Sequence, residues 1–393
     1  MKKLMYLLPV AALAMASCSS SEDAAVQSPV AQNNEVKIFP QVTGATRGVV
    51  ETTASISQFN VILNGKFATT ADADASGLVV GTYSTTATKS SSSWGLAQNY
   101  FWGDETTNAK FTAYANEGTA TYSAGKLSGV TVEEDVDDQK DILVAYNEGN
   151  KTAFATGVPL HFRHAMSQIV VKASYADESD VTTYPLADYP SMTVKVKAIK
   201  FVNLNNSGTL TLPTASTASG EAYEPVWSGH SGAAEFAVQL DNPITLGSTA
   251  TAIDLSESAN PLLLLPQTTA ATENLAPVAP ATVTGAYMAV LVNIDYKESG
   301  ADYYPKAEYS TDDGYAWVAV PVSIEWAGGS KYIYTLNFSN IALGAIAPGT
   351  AAGAIPGSKA VGDKLPSALL TKVNFLVTVE EAWIDGGSFT PAM

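Results

Sequence analysis

Few side chains in this chain of 393 residues could carry chemistry, and their spacing says which chemistry is open to them. His161 and His164 stand three positions apart, with His230 distant. Two imidazoles near carboxylates are a candidate metal site. In an extended segment, however, a spacing of three sends them to opposite faces. Hydrogen-bonded structural histidines are therefore the expectation. Glu133, Glu134, Asp135, Asp137 and Asp138 form an acidic run that could attract calcium. It lacks the alternate-ligand spacing and the fixed glycine of a calcium loop, and reads as a solvated connection. No nucleophile elbow, phosphate-cradling glycine loop or serine–histidine–acid set is recognisable. No catalytic, cofactor-binding or metal-ligating residue is assigned, and the chain is read as not an enzyme.

The sharper signals are Cys18 and Arg47. Lys2 and Lys3 precede an apolar stretch over residues 4–14, too short for a permanent membrane helix. Met15-Ala16-Ser17-Cys18 follows and resembles a lipobox, in which small residues admit a signal peptidase and Cys18 takes the lipid. Residues 1–17 are then a signal peptide. As Cys18 is the only cysteine, no intrachain disulfide is possible and stability must come from packing or assembly. No later segment is long and apolar enough to span a bilayer, so the acyl chains would be the anchor. Ser19-Ser20-Ser21-Glu22-Asp23 resembles an acidic tag for the outer surface. Arg47 and Arg163 are the only arginines. Arg47 sits in a Gly/Thr-rich stretch open to a protease, whereas Arg163 lies in an apolar strand-like run. An arginine-specific surface protease would cut between Arg47 and Gly48.

The elements that must carry these signals are strands. Phe59, Val61 and Leu63 alternate with polar neighbours and end at Asn64-Gly65, a hairpin signal. Ile169, Val171 and Ala173 alternate, as do Met192, Val194 and Val196, then Met288, Val290, Val292, Ile294 and Tyr296. Val373, Phe375, Val377 and Val379 repeat the pattern near the end. No long stretch keeps a helical period. Charged residues make up only 15%, and the net charge is −17. That acidity leaves no basic surface for nucleic acid, which is excluded as a partner. Residues 90–93, 268–284 and 344–362 are low-complexity connections. The candidate sugar-stacking side chains, Trp94 and Trp227, lie beside Ser and Gly.

Several segments, in order, resemble the fimbrillin family, the subunits of type V pili of gram-negative anaerobes. They begin with Tyr100-Phe101-Trp102-Gly103, Phe111-Thr112-Ala113-Tyr114 and residues 140–145. Leu160-His161-Phe162-Arg163-His164-Ala165 resembles the strand that opens the family's second domain, followed by residues 262–267, 331–338 and 377–387. The resemblance implies an all-β chain of two transthyretin-like β-sandwich domains in tandem. It implies export as a lipoprotein, arginine-specific trimming and assembly by strand exchange, with other pilus subunits as partners. The expected organisation is a lipidated propeptide with a removable strand at 18–47, an N-terminal sandwich at 48–157 and a C-terminal sandwich at 158–393. The expected location is the outer membrane surface, then the fimbrium.

Removing a strand near Val36 would leave an apolar groove that a neighbour's extended segment could fill. The candidate donor lies at the C-terminus: Val373, Phe375, Val377 and Val379, with Phe389 and Met393 beyond the Gly386-Gly387 pair. The same run also reads as the last strand of its own domain, because alternation does not say which sheet a strand joins. The other readings are a tip or anchor subunit of the same pili and a surface glycan-binding lipoprotein.

Overall fold

In the computed structural model, the described residues are 34–42, 55–70, 78–91, 93–176, 193–214, 225–246, 253–255, 262–271, 285–295, 314–339, 352–354, 364–366 and 374–380. Among them the chain is all β, with one short 3-10 turn at Val136–Asp138 and no α-helix. The first part contains β1 (Ile38–Val42), β2 (Gln58–Gly65), β3 (Phe67–Ala68), β4 (Gly81–Ser90), β5 (Ser93–Leu96) and β6 (Phe101–Trp102). Next come β7 (Ala109–Ala115), β8 (Thr121–Ser123), β9 (Lys126–Thr131), β10 (Leu143–Gly149) and β11 (Val158–His164). The second part opens with β12 (Ser167–Ala176), β13 (Thr193–Thr211), β14 (Val226–Thr245), β15 (Ile253–Asp254), β16 (Leu262–Leu264) and β17 (Thr268–Thr269). It continues through β18 (Tyr287–Asp295), β19 (Ala316–Pro321), β20 (Ile324–Glu325) and β21 (Lys331–Ser339). It closes with β22 (Ala352–Ala354), β23 (Lys364–Pro366) and β24 (Asn374–Glu380).

A seven-stranded sheet runs β1-β11-β10-β7-β2-β4-β5. One face is an aromatic core in which Phe67 meets Trp102 at 5.4 Å and Trp102 meets Phe111 at 5.7 Å. These are the aromatic segments noted in the sequence, and tilted or edge-on rings at such distances fill space without voids. Phe59, Val61 and Leu63 are buried in that core, as their alternation requires. The hairpin signal after them fails. Asn64 and Gly65 continue β2, paired with Thr82 and Gly81. Gly65 is there for space: a Cβ would stand 2.6 Å from the Ala109 Cβ. The serine run at 90–93 supplies a tight connection instead, with Ser90 paired to Ser93.

The second part holds a six-stranded sheet, β19-β18-β13-β9-β8 with β14 on β13, and a five-stranded sheet, β15-β12-β21-β24 with β16 on β12. The period-two segments Val194/Val196 and Met288/Val290/Val292/Ile294 are buried in the core between these sheets. In β12 the burial extends to both faces, because Gln168 and Val170 are buried along with Ile169, Val171 and Ala173. Both edges of β12 are bonded as well, in parallel to β21 over nine residues and antiparallel to β15 and β16.

The two parts interlock. β11, expected to open the C-terminal unit, hydrogen-bonds into the first sheet beside β10 and β1. The chain passes to the second part at Ala165–Met166. Conversely, the β8–β9 hairpin leaves the first part and pairs with β13 through Thr131↔Ser207 and Lys126↔Thr211. Its connection uses Ala124 and Gly125 at φ 47° and 78°, the doubly left-handed geometry that suits hairpin twist. The other face of the seven-stranded sheet contributes Ile62, Tyr114 and Val144 to the second part's core.

Candidate functional site: the leading strand and its groove

β1 forms one edge of the seven-stranded sheet. The strand expected near Val36 is β1, which runs from Ile38 to Val42. It runs parallel to β11, with Ile38 opposite Val158, Pro40 opposite Leu160 and Val42 opposite Phe162. Upstream the same segment changes partner: Glu35 bridges antiparallel to Phe101. The Val36 N–H donates to the Tyr100 carbonyl and the Trp102 N–H to the Asn34 carbonyl, both at 2.7 Å. The crossover falls at Lys37, whose carbonyl accepts from the Val158 N–H at 2.8 Å.

Side chains follow the pleat. Val36, Ile38 and Pro40 are buried while Glu35, Lys37 and Phe39 are half-buried. Val36 and Ile38 are thus members of the first part's aromatic core. Removing them from water is worth roughly 1.5–3 kcal/mol each. Only alternate residues of a parallel strand bond to a given neighbour. With Lys37 bonded to β11, so are Phe39 and Gln41, and Pro40 directs its backbone away. The missing N–H of Pro40 therefore costs no ladder bond and blunts the outer edge. Phe39 lies over Gly157, where a Cβ would be 2.1 Å from the ring. With φ at +125°, that backbone position suits glycine on conformational grounds as well.

The sheet curls until its ends approach. A cleft of about 150 Å³ lies between β1 and β5, lined by Val36, Ile38, Trp94 and Leu96 together with the polar Glu35, Lys37, Ser93 and Asn99. Lys151 closes the upstream end, donating to the Asn34 side chain at 2.7 Å and pairing with Glu105 at 3.1 Å.

Cys18, Arg47, Gly48, Val373, Phe389 and Met393 lie outside the described residues. The backbone of Phe375, Val377 and Val379 belongs to β24, which pairs antiparallel with β21 from Asn374 to Glu380. Neither tryptophan stands free. Trp94 packs on Phe59 at 4.9 Å, and the Trp227 indole donates to the Ala165 carbonyl at 2.9 Å.

The histidines separate as a strand dictates: His161 is exposed and His164 buried. His164 Nδ1 lies 2.7 Å from an Asp141 carboxylate oxygen, with both side chains almost fully buried. The acidic run closes on itself, Asp135 accepting from the Asp137 N–H. Gln139 behind it accepts from the Leu263 N–H at 2.7 Å. Among the described residues no group of three or more His, Cys, Asp or Glu is placed to hold a metal. Also among them, no helix is long and apolar enough to cross a membrane. The partner change at Lys37 and the role of Gly157 had no signal in the sequence, since both depend on contacts distant along the chain.

Fold and site together define a chain of interlocked β-sheets whose first core is completed by a segment at its own N-terminal end. The sequence matches the family described as Fimbrillin-like over residues 43–351, and the chain belongs to that family. Among solved structures it is similar to a fimbrial protein from Bacteroides vulgatus, with 16% identity and a TM-score of 0.53, covering 89% of this chain and 100% of that one. A putative cell adhesion protein from Parabacteroides distasonis aligns with 10% identity and a TM-score of 0.41, covering 88% of this chain and 99% of that one. A fimbrial assembly protein from the same organism aligns with 10% identity and a TM-score of 0.34, covering 78% and 92%. No curated protein matches the sequence.

Proposed function

We propose that this chain is a structural subunit of cell-surface pili acting in adhesion. It is exported as a lipoprotein through Cys18, trimmed between Arg47 and Gly48 by an arginine-specific surface protease, and polymerised with other pilus subunits by strand exchange. The outer membrane holds it through the lipid until it is cut, and the fimbrium is its destination. The observation that carries this reading is the position of β1. A segment lying just upstream of Arg47 fills the edge of a sheet and completes its apolar core. Its loss would open a groove with an unpaired β11 edge, the kind of site that takes an extended peptide by adding a strand.

Unboiled surface extracts run on a gel test the reading. Wild type should give a ladder, and Arg47→Ala should give folded, membrane-bound monomer. A wild-type ladder from Arg47→Ala would rule out trimming as the gate. Cys18→Ala should abolish labelling by a palmitate analogue, and unchanged labelling would end the lipoprotein assignment.

A further inference from the structure

The side of the seven-stranded sheet turned away from the aromatic core is divided. Over β7 it packs on the β8–β9 hairpin and the second part: Tyr114 stacks on Tyr122 at 5.7 Å, and the Thr112 hydroxyl donates to the Pro213 carbonyl at 3.4 Å. Over β4 it stays open. Side chains alternate across a strand. The outward set of β4 is Thr82, Ser84, Thr86, Thr88 and Ser90, all exposed except the half-buried Thr86. β2 holds this row in place. The Asn64 amide donates to the Thr82 hydroxyl at 2.8 Å, and the Thr86 hydroxyl donates to the Asn60 side chain at 3.3 Å. None of these side chains is charged, in a chain with 38 acidic and 21 basic residues. Just before β4, Val79 and Val80 are 76% and 56% exposed, two of the three exposed large hydrophobics among the described residues.

We propose that this face docks a second copy of the chain side to side, joining one filament to the next. The proposal rests on the pilus reading above and extends it to how filaments associate. Charge selects the occupant. At a net −17 each, two copies repel over most of their surfaces, and an uncharged face lets them meet without stripping water from a charge. Hydroxyls and amides both donate and accept, so the face is complementary to itself, as a two-fold contact requires. The rings of β4 and β5 do not serve a sugar, because Tyr83 and Trp94 pack on the core side. Size sets the setting. An outward row about 27 Å long and two strand spacings wide offers on the order of 300 Å². That is well below the roughly 800 Å² a side of a stable pair, so the contact is weak between single subunits. Repeated along two filaments it becomes strong. Centred on Thr86, the two-fold arrangement sets Ser84 against Thr88 and Thr82 against Ser90. Val79 and Val80 then reach the second copy's β4–β5 connection.

The test uses filaments sheared from cells, pelleted at low speed and viewed by negative-stain microscopy. Wild-type filaments should bundle and sediment, and more of them should do so as salt rises from about 10 to about 150 mM and screens the acidic surfaces. Ser84→Lys combined with Thr88→Lys puts like charges across the contact. The pellet should be lost, while the ladder of unboiled subunits stays as in wild type. Ser84→Glu with Thr88→Glu should do the same. Mixing the two kinds of filament should restore bundles, because each lysine then faces a glutamate. Thr121→Glu with Ser128→Glu, exposed on β8 and β9, should bundle as wild type does. Should either double variant lose the ladder, Thr88→Lys or Thr88→Glu alone serves with the same expectation.

Wild-type filaments that stay single at every salt concentration, or lysine or glutamate filaments that bundle on their own, overturn the contact. So do single filaments that bind a neutral glucan matrix until the charges are introduced, which would give the face to a glycan. A ladder without bundles refutes this contact alone. Absence of the ladder in wild type refutes the pilus reading, and the contact falls with it.

Discussion

The strands nearest the two ends of the described chain make an instructive pair. β1 and β24 each close one end of a sheet, yet they are paired differently. β1 pairs with β11 through five residues in parallel, after exchanging partners at Lys37, and carries a proline at its centre. β24 pairs with β21 through seven residues in antiparallel register, and β21 is itself paired along nine residues to the buried β12. Parallel pairing is slightly the weaker per residue. Tyr334, Leu336 and Phe338 of β21 are core residues of the second part, so losing β24 would expose the flank of a main core strand. Losing β1 would uncover the flank of β11, whose Val158, Leu160 and Phe162 are core residues of the first part, and would take Val36 and Ile38 out of that core. The two edges differ in the length and direction of their pairing, not in whether a core strand stands behind them.

The severest way to break this comparison is to delete Asn374–Glu380. We expect no folded protein, checked by the absence of a cooperative melting transition. A truncated chain that melts normally would put β24 in the same removable class as β1. Leu336→Ala should cost about 2–5 kcal/mol in denaturant titrations, the range for emptying a buried leucine site, before and after trimming alike. Ile38→Ala should cost about 2 kcal/mol, the low end of that range because its strand is an edge. A denaturant midpoint equal to that of wild type would mean that Ile38 does not act through the groove.

Gly157→Ala should destabilise the uncut protein by about 1–3 kcal/mol, since the new methyl group meets Phe39. Combining it with Phe39→Ala should recover part of that loss, the rest being backbone strain at positive φ. The smallest effect concerns acid. The Thr107 hydroxyl and backbone N–H, with help from Thr106 and Lys66, hold the Asp104 carboxyl well below its ordinary range. A carboxyl lowered by folding stabilises the native state above its unfolded pKa and loses that contribution as pH falls through the folded value. Asp104→Ala should therefore lower the neutral plateau of the melting-temperature profile slightly and flatten its acid limb, the two profiles meeting at low pH. An acid limb as steep as wild type would assign that dependence elsewhere.

Much of this was written in local pattern. Period-two runs marked β2, β13 and β18, and the aromatic segments at 100–103 and 111–114 are the core that β1 completes. What failed was whatever depended on distant partners. Asn64-Gly65 carries the letters of a turn, but Gly65 is a strand residue made small by Ala109. The strand at Leu160 looked like the start of a second unit, although its bonds go to β1 and β10. The alternation in β12 suggested a single buried face, whereas Gln168 and Val170 on the other face are buried too. For the site, sequence showed that residues near Val36 form a strand upstream of a scarce arginine. It could not show which edge that strand would find, because register across a sheet is settled by contacts and not by alternation.

The β8–β9 hairpin has a mechanical consequence. In a filament whose joints are the groove beside β11 and the tail beyond β24, tension would enter through the first sheet and leave through the second. The peptide link from β11 to β12 would carry that load alone if the two parts merely abutted. β9 laid along β13 adds a second path, in which several hydrogen bonds share the pull side by side and must fail together. A subunit stitched in this way would stretch as a single body under drag, with its weakest points at the joints between copies and not within each one.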